Sequence, residues 1–166
     1  MADYTTLTTP DGPFTLIAQD GAVLAAGWTA ELDELLPQVH ASLRPAGLTE
    51  VATLGALSDA VQAYYDGDLA APMSVPVRQK SGPFRERAWD VLREVAAGHP
   101  LSYTDYASAA GNPKAVRAAA SACAFNAAAL FVPCHRIVRN DGSLGGFRWG
   151  LTVKESLLAR EAELSV

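Results

Sequence analysis

The 166 residues contain two cysteines, Cys123 and Cys134. Two are too few for a disulfide framework or a four-cysteine zinc site. Charge is also sparse: 19% of residues are charged against 49% hydrophobic, which excludes a disordered chain and fits a globular one. No apolar run approaches the roughly 20 residues that span a bilayer. Met1-Ala2-Asp3-Tyr4 lacks the basic stretch and apolar core of a secretory leader. The compartment expected from these absences is the reducing cytoplasm. Repeats and low-complexity tracts are missing too. A chain of this length forms one domain or two small ones and buries roughly 70% of its unfolded surface.

What charge there is lies unevenly. Residues 1–80 carry a net charge of -7, with Arg44, Arg78 and Lys80 as their only basic residues, whereas residues 81–166 carry +2. Lys114, Arg117, Arg136, Arg139, Arg148 and Lys154 fall within residues 106–154, with Asp141 and Glu155 as the acids in or beside that stretch. Such a segment either meets a polyanion through its local field or is simply solvated.

The first half begins as a β-meander. Strands are expected over 4–7, 14–19 and 23–29, with turns at Pro10-Asp11-Gly12-Pro13 and Asp20-Gly21. Residues 31–43 place Leu32, Leu35, Leu36 and Val39 on one helical face despite Pro37. A second helix is expected over 57–66, with Ser58 as its cap. Residues 70–83 are Pro-rich and extended, either a linker or an edge strand.

The second half is mostly helical, with helices expected over 83–97, 103–110, 113–125 and 152–163. Asn112 suits an N-cap and Pro113 a first helical position. Two short helices joined at Gly111 outline a helix-turn-helix. The second carries Ala115, Ala118, Ala119, Ala120, Ala122 and Ala124, with Lys114 and Arg117 as its long polar side chains. It is either a tightly packed alanine helix or one that must approach another surface closely. The last helix would pack through Leu151, Val153, Leu157 and Leu158 and carries Glu161, within reach of a buried histidine.

Pro133-Cys134-His135-Arg136 follows an apolar run, 127–132. A cysteine there is a candidate activated nucleophile, since a neighbouring base or positive charge favours thiolate. The alternative is a buried structural cysteine beside a satisfied histidine. Cys123 reads as a small core residue. Cys123, Cys134 and His135 lack metal-ligand spacing, so no metal is expected. Beyond the turn Arg139-Asn140-Asp141-Gly142, the run Leu144-Gly145-Gly146-Phe147-Arg148-Trp149-Gly150 could wall a flat pocket or form an ordinary surface loop.

Taken together, Tyr103, Asn112-Pro113-Lys114-Ala115-Val116-Arg117, Ser121-Ala122-Cys123-Ala124, Asn126, Val132-Pro133-Cys134-His135-Arg136, Gly146-Phe147-Arg148-Trp149-Gly150 and Leu157-Leu158-Ala159-Arg160-Glu161 resemble the O6-alkylguanine-DNA alkyltransferases. These are also called methylated-DNA–protein-cysteine methyltransferases. The likeness is dense over 83–162, above all to the C-terminal half of the bacterial adaptive-response regulators, and looser before it.

The resemblance implies an α/β N-terminal domain over 1–80, ribonuclease-H-like with a small antiparallel sheet plus helices. A mostly α domain with a helix-turn-helix follows over 81–166. It implies Cys134 as alkyl acceptor, His135 as its base through a water, and Glu161 as the carboxylate that orients the ring. Asn126 would hold the turn, and Tyr103 would donate to the departing guanine. Arg117 would fill the stack after base flipping, and Ala118 would let its helix enter the minor groove. Lys114, Ser102, Thr104 and Arg139 complete the implied DNA contacts. Ile137, Phe147, Arg148 and Trp149 form the implied base pocket. The implied reaction is single-turnover transfer from O6-alkylguanine, with O4-alkylthymine as a second candidate, by a cofactor-free monomer on double-stranded DNA.

The chain departs from the family pattern at several places. Ala127 replaces a frequent Pro, Phe147 a common Tyr, and Trp149 a frequent Gly, which should narrow the pocket. Arg85-Glu86-Arg87-Ala88-Trp89 matches the usual Gln-x-Val-Trp loosely. Three other readings compete. A lesion binder of the alkyltransferase-like kind carries Trp at the acceptor position, whereas Cys134 is present. A regulator's sensor needs four cysteines. A thiol hydrolase would turn over esters or peptides.

Overall fold

A computed structural model describes residues 1–165. The chain divides into two compact units, residues 1–80 with 127–131, and residues 81–126 with the chain from 132 onward. Residues 127–131, which the sequence places in the second half, thus belong to the first unit.

Local turn chemistry sets the first unit's meander. β1 (Ala2–Thr9), β2 (Gly12–Gln19) and β3 (Ala22–Gly27) pair antiparallel. Asp20 and Gly21 join the last two with φ of 52° and 77°. Two positive φ values make the type I′ geometry that matches strand twist, and Asp-Gly supplies them at low cost. β4 (Leu48–Glu50) then joins the other side of β1 in parallel. The sheet is therefore mixed, not antiparallel throughout: the chain from 28 to 47 is long enough for the crossover that a parallel neighbour requires. The outer edge of β3 is covered by two short extended segments. Val23 N–H donates to Pro76 O at 2.9 Å, and Ala26 N–H donates to Ala127 O at 2.8 Å. An edge so covered is not a template for another chain.

The helix expected over 31–43 is replaced by two 3₁₀ turns, Leu32–Glu34 and Leu36–Gln38. Pro37 has no N–H and its ring clashes with the preceding helical turn, so the helix cannot propagate. The turns still bury Leu35 and Val39. α1 (Ala56–Tyr65) starts after Gly55, not at Ser58. Ser58 sits inside the first turn, where its Oγ accepts from Leu54 N–H at 3.0 Å. The Pro-rich 70–83 stretch holds a 3₁₀ turn, Ala71–Ser74, before its edge pairing.

In the second unit α2 (Pro83–Leu92) packs on α3 (Tyr103–Ala109) and α4 (Val116–Ala124). Three bonds tie them: Trp89 Nε1–H to Ala122 O at 2.8 Å, Tyr106 O–H to Ala88 O at 2.9 Å, and Arg87 Nε–H to Ala110 O at 2.8 Å. Ala119 and Ala122 are fully buried, and their small size permits this close approach. β5 (Leu101–Ser102) and β6 (Ile137–Val138) form a two-residue parallel pair, and α5 (Leu151–Leu164) closes the unit.

Three boundaries differ from expectation. α2 ends at Leu92, because Glu94 and Val95 tighten into bonds from three residues back. α4 begins at Val116, because Asn112 Oδ1 accepts from Lys114 N–H at 3.0 Å and closes a local turn where a helix cap was expected. Leu151 is 52% exposed and does not pack as expected. The α2–α3 tie is testable: Tyr106→Phe should lower urea-unfolding stability by about 1 kcal/mol. An unchanged midpoint would show that this hydroxyl contributes nothing.

Candidate functional site

The site lies wholly in the second unit and is organised around one carboxylate. Cys134–Arg136 is a single 3₁₀ turn between the buried run and β6. Beneath it α5 presents Glu161, fully buried. His135 Nε2–H donates to Glu161 Oε2 at 2.6 Å, Arg136 Nε–H to Oε1 at 2.8 Å, and an Arg136 Nη2–H to Oε2 at 3.2 Å. Arg136 Nη1–H also donates to Val95 O at 2.8 Å, the carbonyl freed where α2 tightens. Burial alone would push the Glu161 carboxyl up. The charge and hydrogen bond of His135 and the Arg136 guanidinium outweigh it and bring the group from 4.5 to about 2.

An ionised Glu161 fixes the histidine tautomer, since a carboxylate can only accept. Nε2 therefore carries the proton and Nδ1 the lone pair. Nδ1 is buried and bonds to no described group, which makes it the nitrogen able to take a proton. Burial lowers the His135 pKa, against the opposing pull of Glu161.

Cys134 is half-buried. Burial raises its thiol pKa, while a hydrogen bond from Asn126 and the charges of Lys154 and Arg148 favour thiolate. Asn126 also donates through Nδ2 to Val132 O at 2.8 Å, tying the two ends of the 127–131 run. Tyr103 opens α3 and packs against Gly145: a side chain at that glycine would meet the Tyr103 hydroxyl at 3.2 Å. Burial first, then the two cysteines, raise the Tyr103 pKa to about 12, so the phenol stays protonated at neutral pH.

The remaining candidates sit around this centre. Arg117 and Ala118 are exposed in the first turn of α4, and Lys114 is exposed just before it. Ser102 caps α3 by accepting from Asp105 N–H at 3.0 Å. Thr104 Oγ1 accepts from Asn140 Nδ2–H at 2.8 Å, and Arg139 is exposed. Phe147 and Trp149 are half-buried, and Arg148 donates to Ala124 O at 2.9 Å. The Ile137 side chain is fully buried, so only its backbone can face a ligand. Cys123 is half-buried, less enclosed than a core residue. Among the described residues no three His, Cys, Asp or Glu gather as metal ligands.

Sequence reasoning gave no role to Arg136, Asn140 or Lys154. The signal for Lys154 was its spacing, since it shares the buried face of α5 with Leu157 and Glu161.

Comparison with known proteins points to one family. The methylated-DNA–protein-cysteine methyltransferase of Salmonella typhimurium is 30% identical over 161 residues, covering 95% of this chain and 94% of that protein. The chain belongs to the methylated-DNA–protein-cysteine methyltransferase family. Residues 83–163 match the family domain described as "6-O-methylguanine DNA methyltransferase, DNA binding domain". The bifunctional transcriptional activator/DNA repair enzyme Ada of Escherichia coli is 49% identical over 92 residues, which is 55% of this chain and 26% of Ada. The chain thus spans about a quarter of that relative's length. The crystal structure of the O6-methylguanine methyltransferase of Mycobacterium tuberculosis superposes with a TM-score of 0.80 at 27% identity, covering 99% of this chain and 94% of that one. The Mycobacterium tuberculosis OGT in complex with DNA gives 0.82 at 26% identity, covering 97% and 93%. The methyltransferase family's small mixed sheet plus helices is the architecture seen here.

The buried charges make stability depend on pH with a definite sign. His135 and Glu161 both have folded pKa values below their ordinary 6.5 and 4.5. The unfolded chain therefore binds more protons in acid, and stability falls as pH drops through 6.5 and on toward 2. Glu161→Gln leaves Arg136 buried without its anion and should cost about 3–5 kcal/mol at pH 7. It should also remove the Glu161 share of the dependence below about pH 4.5, so that the fall toward acid becomes shallower. Urea unfolding at pH 7, 5 and 3 checks both effects.

Proposed function

We propose that this protein repairs alkylated DNA by direct reversal, moving the alkyl group of O6-alkylguanine irreversibly onto Cys134. The observation that carries the reading is the chain of groups from Glu161 through the His135 ring to the Cys134 turn, inside a fold shared with the family. Neutral His135 takes the Cys134 proton on Nδ1 through a bridging water, and Glu161 stabilises the resulting imidazolium, following the logic of a catalytic triad. The thiolate attacks the alkyl carbon. A C–S bond forms, the C–O6 bond breaks, and its electron pair stays on guanine. Tyr103, protonated at neutral pH, donates to the guanine ring so that the base does not leave as a bare anion. Asn126 holds the turn beneath the thiol. The thioether is stable, so each molecule acts once.

The target atom lies inside a duplex, so the nucleotide must be extruded at a cost of a few kcal/mol. α3 and α4 serve as a helix-turn-helix. The exposed Ala118 lets α4 approach the minor groove, while Arg117 fills the vacated stack. Lys114, Ser102, Thr104 and Arg139 hold the backbone. The extruded base sits against Phe147, Trp149 and the backbone at Ile137 and Arg148, and the narrowing at Trp149 favours small alkyl groups. O4-alkylthymine is a weaker substrate of the same pocket. The first unit, with residues 1–80, serves as a ribonuclease-H-like domain, and the protein works as a cytoplasmic monomer without a cofactor.

Intact and peptide mass spectrometry after mixing with O6-methylguanine duplex tests this directly. One methyl group on the Cys134 peptide, saturating at one per chain, is expected. Tight lesion binding without mass gain would make the protein a lesion sensor. Cys134→Ala should bind the lesion and transfer nothing. Arg117→Ala should slow repair in duplex by about tenfold or more, in line with an unstacking cost of a few kcal/mol. It should leave reaction with the free base unchanged. Equal losses would exclude Arg117 from flipping.

A further inference from the structure

Lys154 is a strongly buried cation near the thiol to which the proposed reaction gives no part. It is fully buried on the inner face of α5. Its Nζ donates to Ile137 O at 2.8 Å and to Gly146 O at 3.3 Å. The two carbonyls belong to β6 and to the glycine-rich loop after it, so one side chain ties both to α5. Among the described residues no ion pair reaches Lys154. A buried ammonium held by carbonyls alone is costly, and the cost falls when an anion appears nearby.

We propose that Lys154 is a positioning residue for the alkyl-acceptor thiol: its ammonium stabilises the Cys134 thiolate while its two hydrogen bonds pin the 145–150 loop against β6. This rests on the reading of Cys134 as the acceptor. Arg148 is the other fixed charge that favours the thiolate. His135 is neutral until it takes the thiol proton, and its imidazolium is then paired with Glu161, as Arg136 already is. The groups facing the cysteine and the lysine are Cys123 from α4, Tyr103 and Tyr106 from α3, Arg139 after β6 and Arg148 from the loop. The Lys154 and Arg148 charges both favour the thiolate, and Lys154 is the fully buried one of the two, bonded to β6 and the loop. Burial lowers the lysine's own pKa and the cysteine thiolate raises it, so each charge supports the other.

Lys154→Met removes charge and bonds, whereas Lys154→Gln keeps amide donors and loses the charge. Carbamidomethylation of Cys134 by iodoacetamide, followed by peptide mass spectrometry between pH 6 and 10, reports the thiolate directly. Both variants should shift the midpoint upward by about one unit. Methyl transfer at pH 7 should fall about tenfold. A midpoint unmoved in the folded variants would overturn the proposal. A second measurement needs no substitution. If ammonium and thiolate stabilise each other, capping Cys134 in the wild-type chain must lower the Lys154 titration midpoint, because linkage is reciprocal. The lysine ¹³Cε resonance should show that drop after alkylation with iodoacetamide, and no drop would also overturn the proposal. Neither thiol nor lysine titration involves DNA. Failure of wild-type methyl transfer would therefore count against the repair reading alone.

Discussion

Everything at the candidate site leans on the Glu161 carboxylate. A carboxylate buried this deeply would cost several kcal/mol if unpaired, yet here it accepts from two neighbouring residues of one turn. His135 and Arg136 are adjacent in sequence, and in an extended strand they would point opposite ways. The 3₁₀ turn at Cys134–Arg136 is what lets both reach the same anion. The turn cannot relax without unpairing a buried charge, so the thiol at its first position is held by electrostatics acting two residues away. The carboxylate's second oxygen contact with Arg136 also divides labour. Arg136 supplies a permanent counter-charge, which leaves His135 free to be neutral and to change protonation.

The surroundings make the same point about anchoring. Asn126 Nδ2–H ties the residue before the 127–131 run to the residue after it. That run belongs to the first unit, where it bonds along β3. Leu130 within it holds a φ of 73°, a left-handed conformation unusual for a branched side chain. Strain of this kind persists only where surrounding structure over-determines the backbone. Here the Ala26–Ala127 and Ala129–Ala26 bonds fix one part of the run, and the amide of Asn126 fixes its ends.

Much of this was legible from residues alone, and what was not had a physical cause. The hairpins were readable because Asp20-Gly21 is a local conformational signal. The helix carrying Glu161 put that carboxylate within reach of a histidine, and the family resemblance joined it to His135 and Cys134. Failures arose where a local side-chain bond or a distant partner won. Pro37 overrode four well-spaced leucine and valine residues. Asn112 looked like a helix cap but closed a turn of its own. β4, the 76–78 pairing and the 127–129 pairing depend on partners far along the chain, which periodicity does not encode. Lys154 was counted with the basic segment because residue type suggests surface. Its position, three before Leu157 and seven before Glu161, put it inside.

The same face of α5 shows why the site tolerates so much buried charge. Lys154, Leu157 and Glu161 lie along one stripe, a cation, an apolar spacer and an anion, and all three are fully buried. An all-apolar stripe would pack at lower cost, since replacing buried ion pairs by hydrophobic groups is often neutral or stabilising. On the proposed reading, retaining them serves the thiol. Glu161 shapes the turn that carries Cys134, and on the proposed view Lys154 supplies the charge that the thiolate needs. On the proposed reading the protein transfers one alkyl group and is then spent, so it gains nothing from rapid turnover. It needs a nucleophile that is reactive once yet protected from solvent until a base arrives. Burial gives the protection and raises the thiol pKa; placing fixed charges and donors around a half-buried sulfur returns part of the reactivity without exposing it.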